Sequence, residues 1–293
     1  MTDPHVLVGV DGSAAALKAV TWAAAEAYRR SMPLLLVGVA DGGAYGPLLG
    51  ASDNSLAQID AADGAALSAA EERVSKHYPS VTTTTVQWTG SPAAELIHLS
   101  RDAYLTVLGA NGIGGFSATI LGTVAMALVT NGHSPVAVIR GGEHDVVPRT
   151  GPVVVGVDAG GSSEAAIAWA FDEASRRGAT LTAVHAWTAY PDAYSQSLAL
   201  ASGIDWQAEA IEEQAVFAER LVGWREKYPD VPVRPVLRPG RAAEALLDHT
   251  AGAQLVVVGS RGHGDVTGVF FGSVSRALIH HARCPVLVAR NHD

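Results

Sequence analysis

The chain of 293 residues holds one cysteine, Cys284, so no disulfide can form within it. That excludes a disulfide-stapled scaffold and points to a reducing compartment. Basic residues are scarce beside acidic ones: 20 Lys and Arg face 29 Asp and Glu, a formal net charge of −9. A surface of that sign does not gather nucleic acid or an anionic membrane, since both want Lys and Arg. A small phosphate ligand remains open, because backbone amides can hold an anion on an acidic protein. Apolar runs are short, and none reaches the roughly 18 residues of a membrane span. No leader segment is expected, because Asp3 and His5 interrupt the start and a strand follows at once. These features predict a soluble cytoplasmic protein.

Catalytic signatures are missing as well. Neither glycine-rich stretch ends in Gly-Lys-Ser/Thr, so there is no Walker A loop. The dinucleotide fingerprint belongs after the first strand, yet that place reads Asp11-Gly12-Ser13 and Asp158-Ala159-Gly160. There is no G-x-S-x-G elbow, and Cys284 before Pro285 reads as a buried strand residue. The eleven histidines form no H-E-x-x-H and no Cys/His cluster. His280-His281 falls at a helix end, where a favourable dipole contact explains it. His185 reads as a satisfied histidine near the core, inside a strand.

What is present is a repeat. Val8-Gly9-Val10-Asp11 recurs as Val155-Gly156-Val157-Asp158, and Trp22 recurs as Trp169. Tyr78-Pro79 recurs as Tyr228-Pro229, and the stretch from Gly90 recurs from Gly240. The offset grows by three between the first pair of matches and the second, so one connection is longer in the second half. Two domains are expected, 1–141 and 152–293. The polar segment 142–151, with Gly142, Glu143, His144, Asp145 and Pro148, is the expected linker.

Each copy reads β-α-β-α-β-α-β-α-β. In the second, strands are expected at 153–157, 181–186, 231–237, 255–258 and 286–289. Helices are expected at 163–177, 208–227, 242–250 and 273–281. Ser163 is the expected N-cap of the first of these, and Gly178 its stop. Short Val/Leu runs alternating with amphipathic helices argue for a doubly wound α/β fold: a five-stranded parallel sheet with helices on both faces, built twice. In such sheets a ligand sits at the carboxyl ends of the strands, where the strand order reverses.

Two stretches fall on that edge. "GANGIGGFSATILGT" (109–123) and "GSRGHGDVTGVFFGS" (259–273) both read G-x2-G-x9-G-[ST], each behind an apolar strand. Gly109, Gly112, Gly259 and Gly262 have no Cβ, so backbone can approach a ligand closely. Gly122-Thr123 and Gly272-Ser273 open a helix, whose free amides favour an anion. A turn and a capped helix without a ligand would use the same residues. Asp11 and Asp158 end the first strand of each copy. There a carboxylate can meet the nucleoside end of a ligand, or simply close an Asx turn. Arg261 can add a charged contact to phosphate. Ile120-Leu121 and Phe270-Phe271 read as core anchors of the loops.

These residues carry a resemblance. The whole chain resembles a tandem universal stress protein of the ATP-binding subgroup, a fold like that of the adenine nucleotide alpha hydrolases. The glycine pattern and Asp11 and Asp158, with Gly12 beside the first, match the family's ATP motif. The resemblance implies an adenine pocket wall at Val39 and Ala186. It implies main-chain contacts from Ala110 and Ser260, and from Val124 and Val274 after the last glycine. It also implies ATP in each domain, with Mg2+ carried on phosphate and water. It further implies domain pairing through the last strands, and a homodimer that signals through a protein partner. The expected role is a nucleotide-dependent regulator or sensor of stress or dormancy. The alternatives are a slow ATPase or nucleotidyl-transferring enzyme, and a scaffold whose loops are only structural.

Overall fold

The computed structural model describes residues 3–40, 53–112, 121–140, 150–187, 206–260 and 272–290, with 53–60 and 206–207 given by backbone alone. The chain divides into two compact units between Val147 and Pro148. Each is an α/β unit built in the expected order.

In the first unit the strands are β1 (His5–Gly9), β2 (Leu34–Ala40), β3 (Thr83–Thr89), β4 (Ala103–Gly109) and β5 (Val136–Ile139). Their order in the sheet is β3-β2-β1-β4-β5, with every pairing parallel. Val6 pairs with Leu34 on one side and Leu105 on the other. Val6, Leu7 and Val8 are fully buried. Both faces of β1, β2, β4 and β5 are covered, which is why they read as largely apolar runs rather than alternating ones, whereas the outer strand β3 is mostly exposed. Burying each such side chain is worth about 1.5–3 kcal/mol.

The helices are α1 (Ala14–Arg30), α2 (Asp53–His77), α3 (Pro92–Leu99) and α4 (Thr123–Asn131). Helices α1 and α2 pack together, as do α3 and α4. Ala16, Ala19, Ala23 and Ala27 form the buried stripe of α1, small enough to let the helix lie close on the sheet. Ser13 caps α1 by accepting from the Ala16 amide at 3.1 Å.

The second unit repeats this plan. Its strands are β6 (Val153–Val157), β7 (Leu181–Trp187), β8 (Val233–Pro239), β9 (Leu255–Gly259) and β10 (Val286–Ala289). The order is β8-β7-β6-β9-β10, again parallel. Its helices are α5 (Glu164–Arg177), α6 (Trp206–Lys227), α7 (Ala242–Leu247) and α8 (Ser273–His281). Gly178 ends α5 in the left-handed region at φ 58°, its amide bonded to Ala174 and Ser175.

Three expectations change. Strand β8 starts at Val233, because the Val231 amide closes a turn onto the Tyr228 carbonyl at 3.1 Å. Helix α7 stops at Leu247, where both the amide and the hydroxyl of Thr250 bond the Leu247 carbonyl. Ser163 does not cap α5 with its side chain. Gly161 takes φ 85° where α1 is already helical at the matching place, so α5 begins later and Ser163 turns back to Asp158.

Candidate functional site

The strand order places one switch point in each unit. The chain leaves β1 for β2 on one side and later reaches β4 on the other, so the loops after β1 and β4 part above a shared crevice. Strands β6 and β9 of the second unit repeat it. Asp11 and the first glycine motif lie at one switch point, Asp158 and the second at the other.

In the first unit the two loops are latched together. The Ser13 amide donates to Asp11 Oδ1 at 2.9 Å, an Asx turn that fixes the carboxylate. The Ser13 hydroxyl donates to the Asn111 carbonyl at 3.3 Å. A Cβ added at Gly112 would stand 2.7 Å from Asp11 Oδ2. Gly12 holds φ 80°, which a side chain would strain. The Gly122 amide donates to the Ala110 carbonyl at 2.8 Å, closing the loop. Thr123 then starts α4, with no acid in its first turn and no side-chain cap at Gly122. Its leading amides are therefore available to an anion.

Gly109 has a different reason from the one its motif suggests. A Cβ there would stand 2.7 Å from the Ala15 carbonyl carbon and 2.8 Å from the Ala16 nitrogen. The missing side chain lets the start of α1 cross β4; it does not open room for a ligand.

The second unit shows the crevice as a cavity of about 480 Å³. Asp158, Ala186, Gly259, Gly272, Ser273 and Val274 all line it, gathered from three strand ends and one helix. The Gly272 amide donates to the Ser260 carbonyl at 3.3 Å, as its counterpart does in the first unit. Helix α8 has no acid in its first turn and no side-chain cap. The Ser275 hydroxyl is engaged, donating to the Gly259 carbonyl at 2.7 Å.

The Asp158 carboxylate is held by the start of α5. Oδ1 accepts from the Ser163 amide at 3.1 Å and hydroxyl at 2.8 Å, and Oδ2 accepts from the Ser162 hydroxyl. In return the Asp158 amide donates to Ser163 Oγ at 3.0 Å. Both aspartates thus fill the turn-closing role, and Asp158 also lines its cavity.

The other expected residues divide. Val39, half-buried, lies at the end of β2 opposite Trp88 of β3. Val124 is half-buried in the first turn of α4. The amides of Ala110 and Ser260 bond the Ile139 and Ala289 carbonyls, and their own carbonyls accept from Gly122 and Gly272, so the main chain of both residues is engaged within the fold. Leu121 is buried as expected of an anchor, at 8% exposure. Arg261, Gly262, Ile120, Phe270 and Phe271 lie outside the described residues, as do Glu143, His144 and Asp145. Cys284 sits in the turn before β10 rather than in the strand, and burial pushes its thiol up to about 12. A thiol that remains protonated is not a nucleophile.

One pair lining the cavity was hidden in the sequence. His185 Nδ1 lies 2.8 Å from the Val157 carbonyl, and Nε2 lies 2.8 Å from Glu213 Oε2 on α6. Both ring nitrogens are engaged, so His185 offers neither to a substrate. Among the described residues no group of three or more His, Cys, Asp and Glu could hold a metal ion. No described helix is long and apolar enough to cross a membrane.

Two doubly wound units in tandem, each with a helix that starts at its switch point without a side-chain cap, define the architecture. The chain belongs to the universal stress protein family: the model of that family matches residues 4–140 and again 150–290. Universal stress protein Rv2005c of Mycobacterium tuberculosis (strain ATCC 25618 / H37Rv) is 40% identical over 294 residues, covering 97% of this chain and 96% of the relative. Universal stress protein Rv2623 of the same strain is 38% identical over 300 residues, with the same coverage. Among solved structures, a universal stress protein from Archaeoglobus fulgidus DSM 4304 superposes with a TM-score of 0.71 at 19% identity, covering 99% of this chain and 97% of that one.

Proposed function

We propose that each unit binds one adenine nucleotide, ATP, across its switch point, and that the chain works as a nucleotide-dependent regulator of a stress or dormancy response. The observation that carries this reading is the cavity of about 480 Å³ running from the first amides of α8 past Asp158 to Ala186. Its volume lies within the usual range for small-molecule sites. One end offers helix amides to phosphates, and the strand ends beyond β6 offer a wall to the nucleoside. Arg261, on the loop of that motif, adds a cation for the phosphates. Mg2+ rides on the phosphate oxygens and water, as it commonly does where protein carboxylates are few.

Regulation fits better than turnover. Among the described residues, the histidine lining the cavity, His185, has both nitrogens in hydrogen bonds, and Asp158 is held by Ser162 and Ser163. Neither is poised to activate water. Bound nucleotide instead ties the loops after β6 and β9 together, and a protein partner reads the tied state. The protein is expected in the cytoplasm as a homodimer.

The test is thermal unfolding with ATP-Mg, with inorganic phosphate as control. At a hundredfold excess over the dissociation constant, binding adds about 2.7 kcal/mol and raises the midpoint by about 5–10 °C. An unchanged midpoint at millimolar ATP contradicts the proposal.

A further inference from the structure

The two crevices differ at their far end. In the second unit His185 closes the side of the cavity together with Glu213. A carbonyl only accepts, so the contact with Val157 puts a proton on His185 Nδ1. The ring also stacks on Phe217, with centroids 5.4 Å apart, and is only 4% exposed. It is therefore fixed from three sides. A carboxylate likewise only accepts, so Nε2 donates as well, and the ring, protonated at both nitrogens, fixes the Glu213 carboxylate, whose side chain is 29% exposed. The result is an acceptor held still in the cavity wall.

The first unit has no such device. The corresponding positions hold Gly38 and Asp63. The correspondence is visible in the packing: a Cβ at Gly38 would meet the side chain of Leu67 at 3.0 Å, where His185 meets Phe217. Leu67 closes the place that the imidazole occupies in the second unit.

The strand order decides which end of a ligand meets Glu213. The anion end belongs at α8, beyond β9. Asp158 follows β6, the next strand, and His185 belongs to β7, the one after that. Two strand spacings, about 10 Å, separate β9 from β7. A nucleotide anchored by its phosphates at α8 brings its base toward β7 and α6.

We infer that Glu213, oriented by His185, reads the base in the second unit: its carboxylate accepts from the exocyclic amine of a 6-aminopurine and repels the carbonyl of a 6-oxopurine. This rests on the nucleotide reading above. It adds a selectivity that helix amides do not give, because they contact phosphate alone. A site built around one hydrogen bond discriminates chiefly against the ligand that leaves it unpaired. His185 is the positioning residue and Glu213 the contacting one.

The test uses the full chain with Gly112→Val, which displaces Asp11 and disables the first unit. Binding of ATP, inosine triphosphate and 2′-deoxy-ATP is measured by equilibrium dialysis. ATP and its deoxy analogue are expected to bind at least tenfold tighter than inosine triphosphate. Adding Glu213→Ala should weaken ATP about tenfold and bring the ATP-to-inosine ratio close to one. Alanine favours helix, so α6 persists, and circular dichroism and the melting midpoint check this. Adding His185→Ala instead, with Glu213 intact, should cut the ratio by a smaller factor. Equal binding of ATP and inosine triphosphate before Glu213 is changed overturns this inference and leaves the nucleotide site standing. A loss confined to 2′-deoxy-ATP overturns it too, by assigning Glu213 to the ribose. No binding of any of the three overturns the inference and the nucleotide reading together.

Discussion

The Asp11 carboxylate lies over Gly112, so that a methyl group at 112 would stand 2.7 Å from Oδ2. The two residues follow different strands, β1 and β4, and meet because those strands are neighbours at the switch point. A nucleotide held by the first unit must fit beside this contact. Gly112→Val should push the carboxylate aside, since the far end of an aspartate can turn. The fold should keep its stability within about 0.5 kcal/mol, while ATP affinity of the first unit falls at least tenfold. Denaturant unfolding and equilibrium dialysis read the two quantities separately. A variant that still holds as much nucleotide as the parent removes Asp11 from the site.

Gly109, three residues earlier, should behave in the opposite way. Its neighbours are the Ala15 and Ala16 backbone, which has no flexible end to move. Gly109→Ala should cost about 1–3 kcal/mol by overpacking α1 against β4. Unchanged stability together with lost binding would show that the glycine serves the ligand after all.

The ends of α1 and α5 carry a second repeated feature. Glu26 and Arg30 recur as Glu173 and Arg177, and the glutamates are fully buried. Arg177 Nε donates to Glu173 Oε2 at 2.8 Å, with the arginine side chain 3% exposed. Glu173→Ala leaves a buried guanidinium without that partner and should cost about 3–5 kcal/mol. Glu173→Leu with Arg177→Met should recover most of it. If the double variant is no more stable than the single, the buried charge is not the cause.

Cys284 supplies a pH test. Burial raises its thiol from the ordinary 9.0 to about 12, a hydrogen bond with the Val256 backbone opposing in part. The folded state therefore keeps a proton that the unfolded state releases above pH 9. The associated stability is complete below pH 9 and is lost as pH rises toward 12, by at most about 1.4 kcal/mol per pH unit. Cys284→Ala should lose less stability than the parent over that window in urea titrations. Equal losses would mean that the thiol is not held protonated by the fold.

Much of this was legible in the residues. The repeat, the apolar inner strands and the glycine motifs follow from periodicity and spacing, because a parallel sheet covered on both faces leaves unbroken apolar runs; the edge strands β3 and β8 are polar and largely exposed. Gly178 was readable as a stop for the same local reason. What stayed hidden depends on contacts distant in sequence. Ser163 is a good cap by residue type, yet Gly161 delays α5 and Asp158 claims the hydroxyl. Gly109 looks like a ligand glycine until Ala15 is seen against it. His185 was readable as a satisfied histidine. Its partner was not, because Glu213 sits on a helix beyond the longer connection, with only the i, i+4 spacing to Phe217 as a signal.

The most direct measurement is a count. Purified protein is saturated with ATP-Mg, freed of excess, denatured, and the adenine nucleotide released per chain is quantified. Gly112→Val and Ala186→Phe, which fills the second cavity, are treated alike. Two nucleotides per chain for the parent and one for each variant are predicted. No nucleotide bound by the parent, or two still bound by either variant, would contradict a site at each switch point.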